Sequence, residues 1–183
     1  MDARSRRSRE SLRQAVLALA SRTPIADVTA SAICTEAGVT RDTFYRHADN
    51  PIDLLADALS AEIAETMEML PSAAAIGEGE RALLEHVARR ADVYRGAMHP
   101  LLAAPLRSNL ERSISSGLAL WAELHPRIVP EVFAGDPAAM RLAVSYAAAG
   151  TVGAIEEWLR SGDRDVERAV RLILAASPEW WLR

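Results

Sequence analysis

Apolar residues recur three and four positions apart along most of this sequence, and no stretch alternates apolar with polar as a half-buried strand would. That pattern restricts the chain to an all-α fold. From Ser8 to Arg22, the residues Leu12, Ala15, Val16, Leu19 and Ala20 form the stripe of a helix with one buried face. Pro24 ends it. Thr29 is placed to cap a second helix running to Glu36, with Ile33 and Ala37 inward, and Gly38 closes that helix. Thr40 caps a third helix over residues 41–48, whose Phe44 points at a core of Leu12, Val16 and Ile33. "DNPIDLL" opens a fourth. Asn50 is its N-cap, Pro51 takes the first helical position where a missing N–H costs nothing, and Asp53 sits near the positive end of the helix dipole. Leu55, Leu59, Ile63, Met67 and Leu70 carry the inner stripe of this helix as far as Pro71.

The segment "PSAAAIGEGE" marks the main boundary. It divides a front module (1–50, with a connecting helix 51–70) from a second domain (71–183). Helical periodicity resumes over 80–96 through Leu84, Val87, Ala88, Ala91 and Tyr94, is interrupted at Pro100 and Pro105, and continues over 107–124 through Leu110, Ile114, Leu118 and Trp121. After the loop "HPRIVPEVFAGD", Asp136-Pro137 repeats the cap-plus-proline start and opens a long helix ending at Gly162. A last helix, 163–176, places Val166, Ala169, Val170, Ile173 and Leu174 on one face. The terminal "PEWWLR" puts two tryptophans side by side.

The chain is acidic overall, with net charge −4, yet its first fifty residues hold eight arginines against six carboxylates, leaving that segment +2 and the remainder −6. Such asymmetry suits a front end that meets a polyanion. Every basic residue is arginine, whose planar fork matches phosphates and guanine edges. A single cysteine, Cys34, excludes an intramolecular disulfide and a multi-cysteine metal site, and its place inside the second helix suits a core filler. No uninterrupted apolar run approaches the ~20 residues of a membrane span, and the N-terminus lacks the apolar core of a signal peptide, so a soluble, cytoplasmic chain without membrane partner is expected. His47, His86, His99 and His125 are scattered, without HExxH, a Gly-rich phosphate loop or GxSxG. The expectation is a protein that is not an enzyme and needs no cofactor or metal.

Three short helices, the last two joined by a tight turn at Gly38, match the helix-turn-helix plan, in which the later helix enters the DNA major groove. With Phe44 inward, an advance of ~100° per residue turns Asp42, Thr43, Tyr45 and Arg46 outward and leaves Arg41 and His47 on the flanks. Arginine suits guanine edges or phosphates, threonine a thymine methyl or phosphate, tyrosine and histidine backbone oxygens. Charge on a short helix is by default its solvated face. The order of residues singles this one out.

Residues 9–59, above all "VTASAICTEAGVTRDTFYRHADNPIDLLADAL", resemble the DNA-binding domain of the TetR family of bacterial transcriptional regulators, with Thr29, Ile33, Ala37, Gly38, Val39, Thr40, Thr43, Phe44, Tyr45, His47, Leu54 and Leu55 in register. The resemblance implies a three-helix reading module, a connecting fourth helix and a C-terminal helical bundle that dimerises and encloses a ligand cavity, about nine helices in all as in that family. It also implies that Thr29, Thr40, Arg41, Asp42, Thr43, Tyr45, Arg46 and His47 approach an operator duplex. Two departures stand out. Ala48 replaces the usual Phe and thins the packing of the third helix, and Pro51 replaces a usual Lys, removing a cation and an N–H that phosphate would meet.

The long helix "PAAMRLAVSYAAAGTVGAIEEWLRSG" is apolar on nearly all sides, with small residues at Ala139, Ala143, Ala147, Gly150 and Ala154. A helix without a wet face lies between two neighbours, and in a short chain the second neighbour is another subunit. A four-helix homodimer interface from 138–161 and 164–176 is expected, through Ala143, Ala147, Gly150, Ala154, Val170, Ile173 and Leu174. The same stretch is similar to the Gly-rich helix ending in Trp-Leu of one group within the TetR family, a group that includes activators of dihydroxyacetone kinase genes. Met67, Tyr94, Met98, His99, Leu102, Trp121, Met140, Tyr146 and Trp158 are the candidates for a cavity wall. Methionines and aromatics at helical spacing are ordinarily core, and the resemblance is what implies a small-molecule effector. The function expected is a regulator, a repressor released by its effector; the rival is a co-regulator or sensor of the same fold that binds a protein or small molecule without touching DNA.

Overall fold

The structure is a computed structural model that describes residues 3–68, 75–97 and 100–182, with the backbone alone for residue 67 and residues 100–103. Nine α-helices and no strand occur among the described residues. They are α1 (Ala3–Ala20), α2 (Ala30–Ala37), α3 (Arg41–Tyr45), α4 (Pro51–Met67), α5 (Ile76–Arg89), α6 (Ala91–Ala97), α7 (Pro100–Leu124), α8 (Pro137–Ser161) and α9 (Val166–Ala176). Short 3-10 turns precede α2, follow α7 and close the chain at Glu179–Leu182.

The helix starts obey their caps. Thr29 Oγ1 accepts from the Ala32 N–H at 3.2 Å, Thr40 Oγ1 from Thr43 N–H at 3.2 Å, and Asn50 Oδ1 from Asp53 N–H at 3.0 Å. Asp136 Oδ1 takes the N–H groups of Ala138 and Ala139, and Asp165 Oδ1 that of Arg168. Each satisfies donors that the first turn leaves without a partner. Gly38 and Gly162 end α2 and α8 at φ +64° and +74°, a left-handed geometry that a Cβ would strain.

Several expected boundaries move. Arg90 leaves helical geometry (φ −110°, ψ 19°), so the periodic run 80–96 is two helices rather than one. Conversely, Pro105 does not interrupt α7, which runs unbroken from Pro100. Pro105 lies in the second turn with its ring side exposed, where only one ladder hydrogen bond is lost. The last helix begins at Val166 rather than residue 163, because Asp163, Arg164 and Asp165 form its capping turn. The expected third helix, 41–48, stops at Tyr45: Arg46 is its cap, and Ala48 to Asn50 must turn out of the helix so that Asn50 can cap α4 ahead of Pro51.

Two compact units emerge, Met1–Glu62 with Asp92–Leu106 and Ile63–Ala91 with Arg107–Arg183, their borders falling inside helices; of the expected boundary segment 71–80, residues 76–80 open α5 and 71–74 lie outside the described residues. In the first, Leu12, Val16, Ile33, Phe44, Leu54, Leu55 and Leu59 are wholly buried, and Cys34 is a buried free thiol among them. Asp57 on α4 clamps α1, taking hydrogen bonds from Arg9 Nη2 at 2.6 Å and Arg13 Nε at 2.8 Å. Burial alone would raise this carboxyl; the hydrogen bonds from Arg13 and Arg9 outweigh it and hold the group below the usual carboxylate range.

In the second unit, α5 packs against α9 and the terminal 3-10 turn, and α8 against α9. Leu84, Val87, Ile114, Trp121, Val152, Ile155, Val170 and Trp181 fill its interior. The terminal tryptophans are folded into this unit. Trp181 is buried with its ring 6.3 Å from that of Trp121, while Trp180 stacks on Trp181 and meets Phe133. Arg107 on α7 reaches Glu156 on α8 at 2.6 Å. Among the described residues α8 is the one helix long and apolar enough, by length and composition, to span a bilayer, which the sequence reading did not anticipate because Arg141 and Ser145 interrupt its apolar run.

Candidate nucleic-acid interface

The turn between α2 and α3 is locally determined. Gly38 reverses the chain, its N–H and that of Val39 bonding back to Thr35 and Cys34 carbonyls, and Thr40 then starts α3. Phe44, with 0% exposure, anchors α3 in the core, so the helix can present only its opposite side to solvent. Around that side Thr40, Arg41, Asp42, Tyr45 and Arg46 are exposed, and Thr43 and His47 are half-buried at the edge; Thr29, also exposed, stands at the start of α2. Tyr45 is 58% exposed, its ring held edge-on against Phe44 at 5.2 Å.

These side chains are already organised. The Thr40 and Thr43 hydroxyls lie 3.0 Å apart, and Arg46 Nη2 donates to Thr43 Oγ1 at 3.1 Å while its Nε lies 3.4 Å from Asp42 Oδ2. Arg41 donates through Nε and Nη2 to Ser31 Oγ on α2, the Nε contact being 3.0 Å. Ser31 was not singled out by sequence, since a contact across the turn between residues ten apart leaves no periodic signal. The arrangement presents two arginines, a phenol and two hydroxyls together, groups whose chemistry can hydrogen-bond to anionic oxygens or polar base edges. Asp42 is the opposing charge, and Asn50 and Asp53 close the start of α4 with their own side chains, Asn50 Nδ2 to Asp53 Oδ2 at 2.6 Å.

The expected cavity residues do not gather at one described site. Met98 and His99 lie outside the described residues, as do the side chains of Met67 and Leu102. Tyr94 is buried in the first unit and Trp121 in the second, stacked on His125 at 4.2 Å. Met140 lines a groove of about 480 Å³ with Val129, Phe133 and Pro137; Trp158 lines another of about 280 Å³ between α8 and α9. Tyr146 is no wall residue in this chain: it stands 71% exposed on the outer side of α8, opposite the face that Val144 and Ala148 bury. Of the expected interface residues, Gly150 is exposed and Ala143, Ala147 and Ala154 half-buried. Val170 and Ile173 are buried within the chain, and Leu174 packs toward Gly77 of α5. The amphipathic face of α9 is thus taken up by α5, and its free side carries Leu172 and Ala176 instead.

Among the described residues no group of histidines, cysteines or carboxylates is arranged to hold a metal. The indole N–H groups of Trp121, Trp158 and Trp181 and the Oε1 of Glu80 are buried without a hydrogen-bond partner among the described residues. Burial pushes the Glu80 carboxyl up to about 7.

A helix-turn-helix unit followed along the chain by a second helical unit defines an all-α architecture. Solved structures share it. The chain is similar to the dihydroxyacetone kinase operon activator DhaS, with a TM-score of 0.67 and 15% identity over 93% of this chain and 96% of that one. It is similar also to a TetR transcriptional regulator from Rhodococcus sp. RHA1 (TM-score 0.61, 16% identity, 95% and 98% covered). A TetR-family regulator from Mesorhizobium loti MAFF303099 gives a TM-score of 0.58 at 19% identity, with 96% and 98% covered. No protein-family model matches the chain, and no curated protein does. The fold is therefore that of TetR-family regulators, at identities too low to carry a ligand or an operator across.

Proposed function

We propose that this chain is a cytoplasmic, homodimeric DNA-binding regulator of the bacterial TetR type, a repressor that a small-molecule effector releases from its operator. The observation that carries the reading is the outer face of α3. Arg41, Tyr45 and Arg46 stand exposed on a helix whose Phe44 is locked in the core, directly after a Gly38 turn. Two such helices in a dimer would read half-sites about one helical turn (~34 Å) apart. An effector that favours a conformer with another spacing would shift the population off DNA.

The test is a titration of the purified protein against the DNA upstream of its own gene at several salt concentrations. Retardation that weakens steeply with salt, and is lost in Arg46→Ala and Tyr45→Ala while the folded chain keeps its helical signal, supports the reading. Absence of binding at low salt sinks it. The sign of regulation is read by a reporter fused to that region, since one structural neighbour is by name an activator.

A second reading, a sensor or co-regulator without DNA contact, draws on two features. Asp42 lies beside Arg46, and Asn50 with Asp53 occupies the start of α4. It predicts that the same titration stays empty while a partner is captured through the second unit.

A further inference from the structure

The 3-10 turn Glu179–Leu182 packs inward on the second unit. Trp181 N–H closes it onto the Pro178 carbonyl at 3.0 Å, and the Trp181 ring is buried beside Trp121 of α7. The turn also packs against α5. Leu174, near the end of α9, approaches Gly77, while Glu167, near its start, pairs with Arg81. α9 therefore runs antiparallel to α5, and the segment that leaves it arrives at the first turns of α5. Glu80 lies in that stretch. At ~100° per residue it falls between the buried Val87 and Leu84, away from the exposed Glu78, Glu85 and Arg89 and about 120° round the helix from His86. Its Oε1 is buried without a hydrogen-bond partner among the described residues. Nor do the described parts of the elements packed on α5 offer it a cation. Arg81 is taken by Glu167, Arg168 of α9 by Asp163 at 2.6 Å, Arg171 of α9 is exposed, and the turn itself adds a further carboxylate, Glu179. A buried carboxyl without a counter-charge is favoured in its neutral form.

We propose that the turn Glu179–Leu182 is a proton-controlled latch: docked, it seals a neutral Glu80 on α5, and loss of the Glu80 proton lets it lift into water. Docked, the carboxyl is pushed by burial up to about 7; lifted, it returns to its ordinary 4.5. The docked form thus binds the extra proton. Docking is firmest below pH 4.5, weakens tenfold per pH unit between the two values and levels off above about 7. Lifting also bares the Trp121 ring that Trp181 covers, so one proton decides whether this part of the unit is closed.

Hydrogen exchange at the Trp181 amide and indole of the full chain follows the latch, each rate being divided by the free-peptide rate at the same pH. Between pH 6 and pH 8 the opening should rise about tenfold in the wild type and stay level in Glu80→Gln. An opening that is the same at both pH values, or that rises equally in Glu80→Gln, overturns the proposal. Trp181→Ala tests the converse. Followed by carbon NMR, the Glu80 carboxyl should titrate near 4.5 in that variant instead of about 7. A carboxyl that stays near 7 there owes its burial to other contacts, and the latch fails. Should Trp181→Ala not fold, the exchange comparison with Glu80→Gln decides alone.

Discussion

Arg46 on α3 is shared between Asp42, Thr43 and whatever meets the helix from outside. Because Asp42 is highly exposed and faces the same way, its carboxylate both holds the guanidinium and repels phosphate. Asp42→Asn is therefore expected to tighten operator binding several-fold, checked by titration at fixed salt, the opposite of the loss expected for Arg46→Ala. A weaker complex for Asp42→Asn would mean that the carboxylate orients Arg46 for DNA rather than competing with it. Glu80 gives a residue-scale prediction of a different kind. Its folded pKa is raised above the unfolded value of 4.5, so the folded state binds the extra proton, and stability declines as pH rises from about 4.5 to about 7 and stays lower beyond. Glu80→Gln should remove that decline, visible as denaturant midpoints that no longer fall between pH 5 and pH 8. The outward set on α3 could be read in the sequence because Phe44 fixes the helix phase. Glu80 could not, because its burial arises from α5 packing against distant elements.

At the scale of elements, α1 and α4 are tied by one carboxylate. Asp57 is depressed by Arg13 and Arg9, so its stabilisation is present above the ordinary carboxylate pKa and is lost as pH falls through the lowered value. Asp57→Ala should cost about 2 kcal/mol at neutral pH, measured by thermal unfolding, and should blunt the loss of stability in acid. Removing the Asp136 cap by Asp136→Ala should cost about 1 kcal/mol through the two N–H groups it leaves bare at the start of α8. Pro105 runs the other way: α7 continues through it, so Pro105→Ala restores a ladder donor and should raise the melting temperature. A fall instead would show that the proline's stiffening of the unfolded chain outweighs the lost bond. Starts were legible because Thr29, Thr40, Asn50-Pro51 and Asp136-Pro137 act on their own first turns. The break at Arg90 carried no such residue and was not.

For the whole molecule, the decisive quantity is whether two copies pair through α8. A helix with Leu142 and Tyr146 in water and its other face in the core is poorly served as a monomer. Dilution should accordingly lower the melting temperature, the signature of folding coupled to association, and operator affinity should fall in step with dimer dissociation.

Caps, turns and periodicity are interactions among residues one to four apart, so the amino-acid order alone determined that this chain is helical, where most helices begin, and which side of α3 turns outward. Tertiary packing decided what no short window encodes: that α9 spends Val170 and Ile173 on the chain's own core, that Tyr146 faces solvent rather than a cavity, and that Trp181 folds inward beside Trp121. Each is a competition between two apolar surfaces for one neighbour, settled by which distant element arrives there.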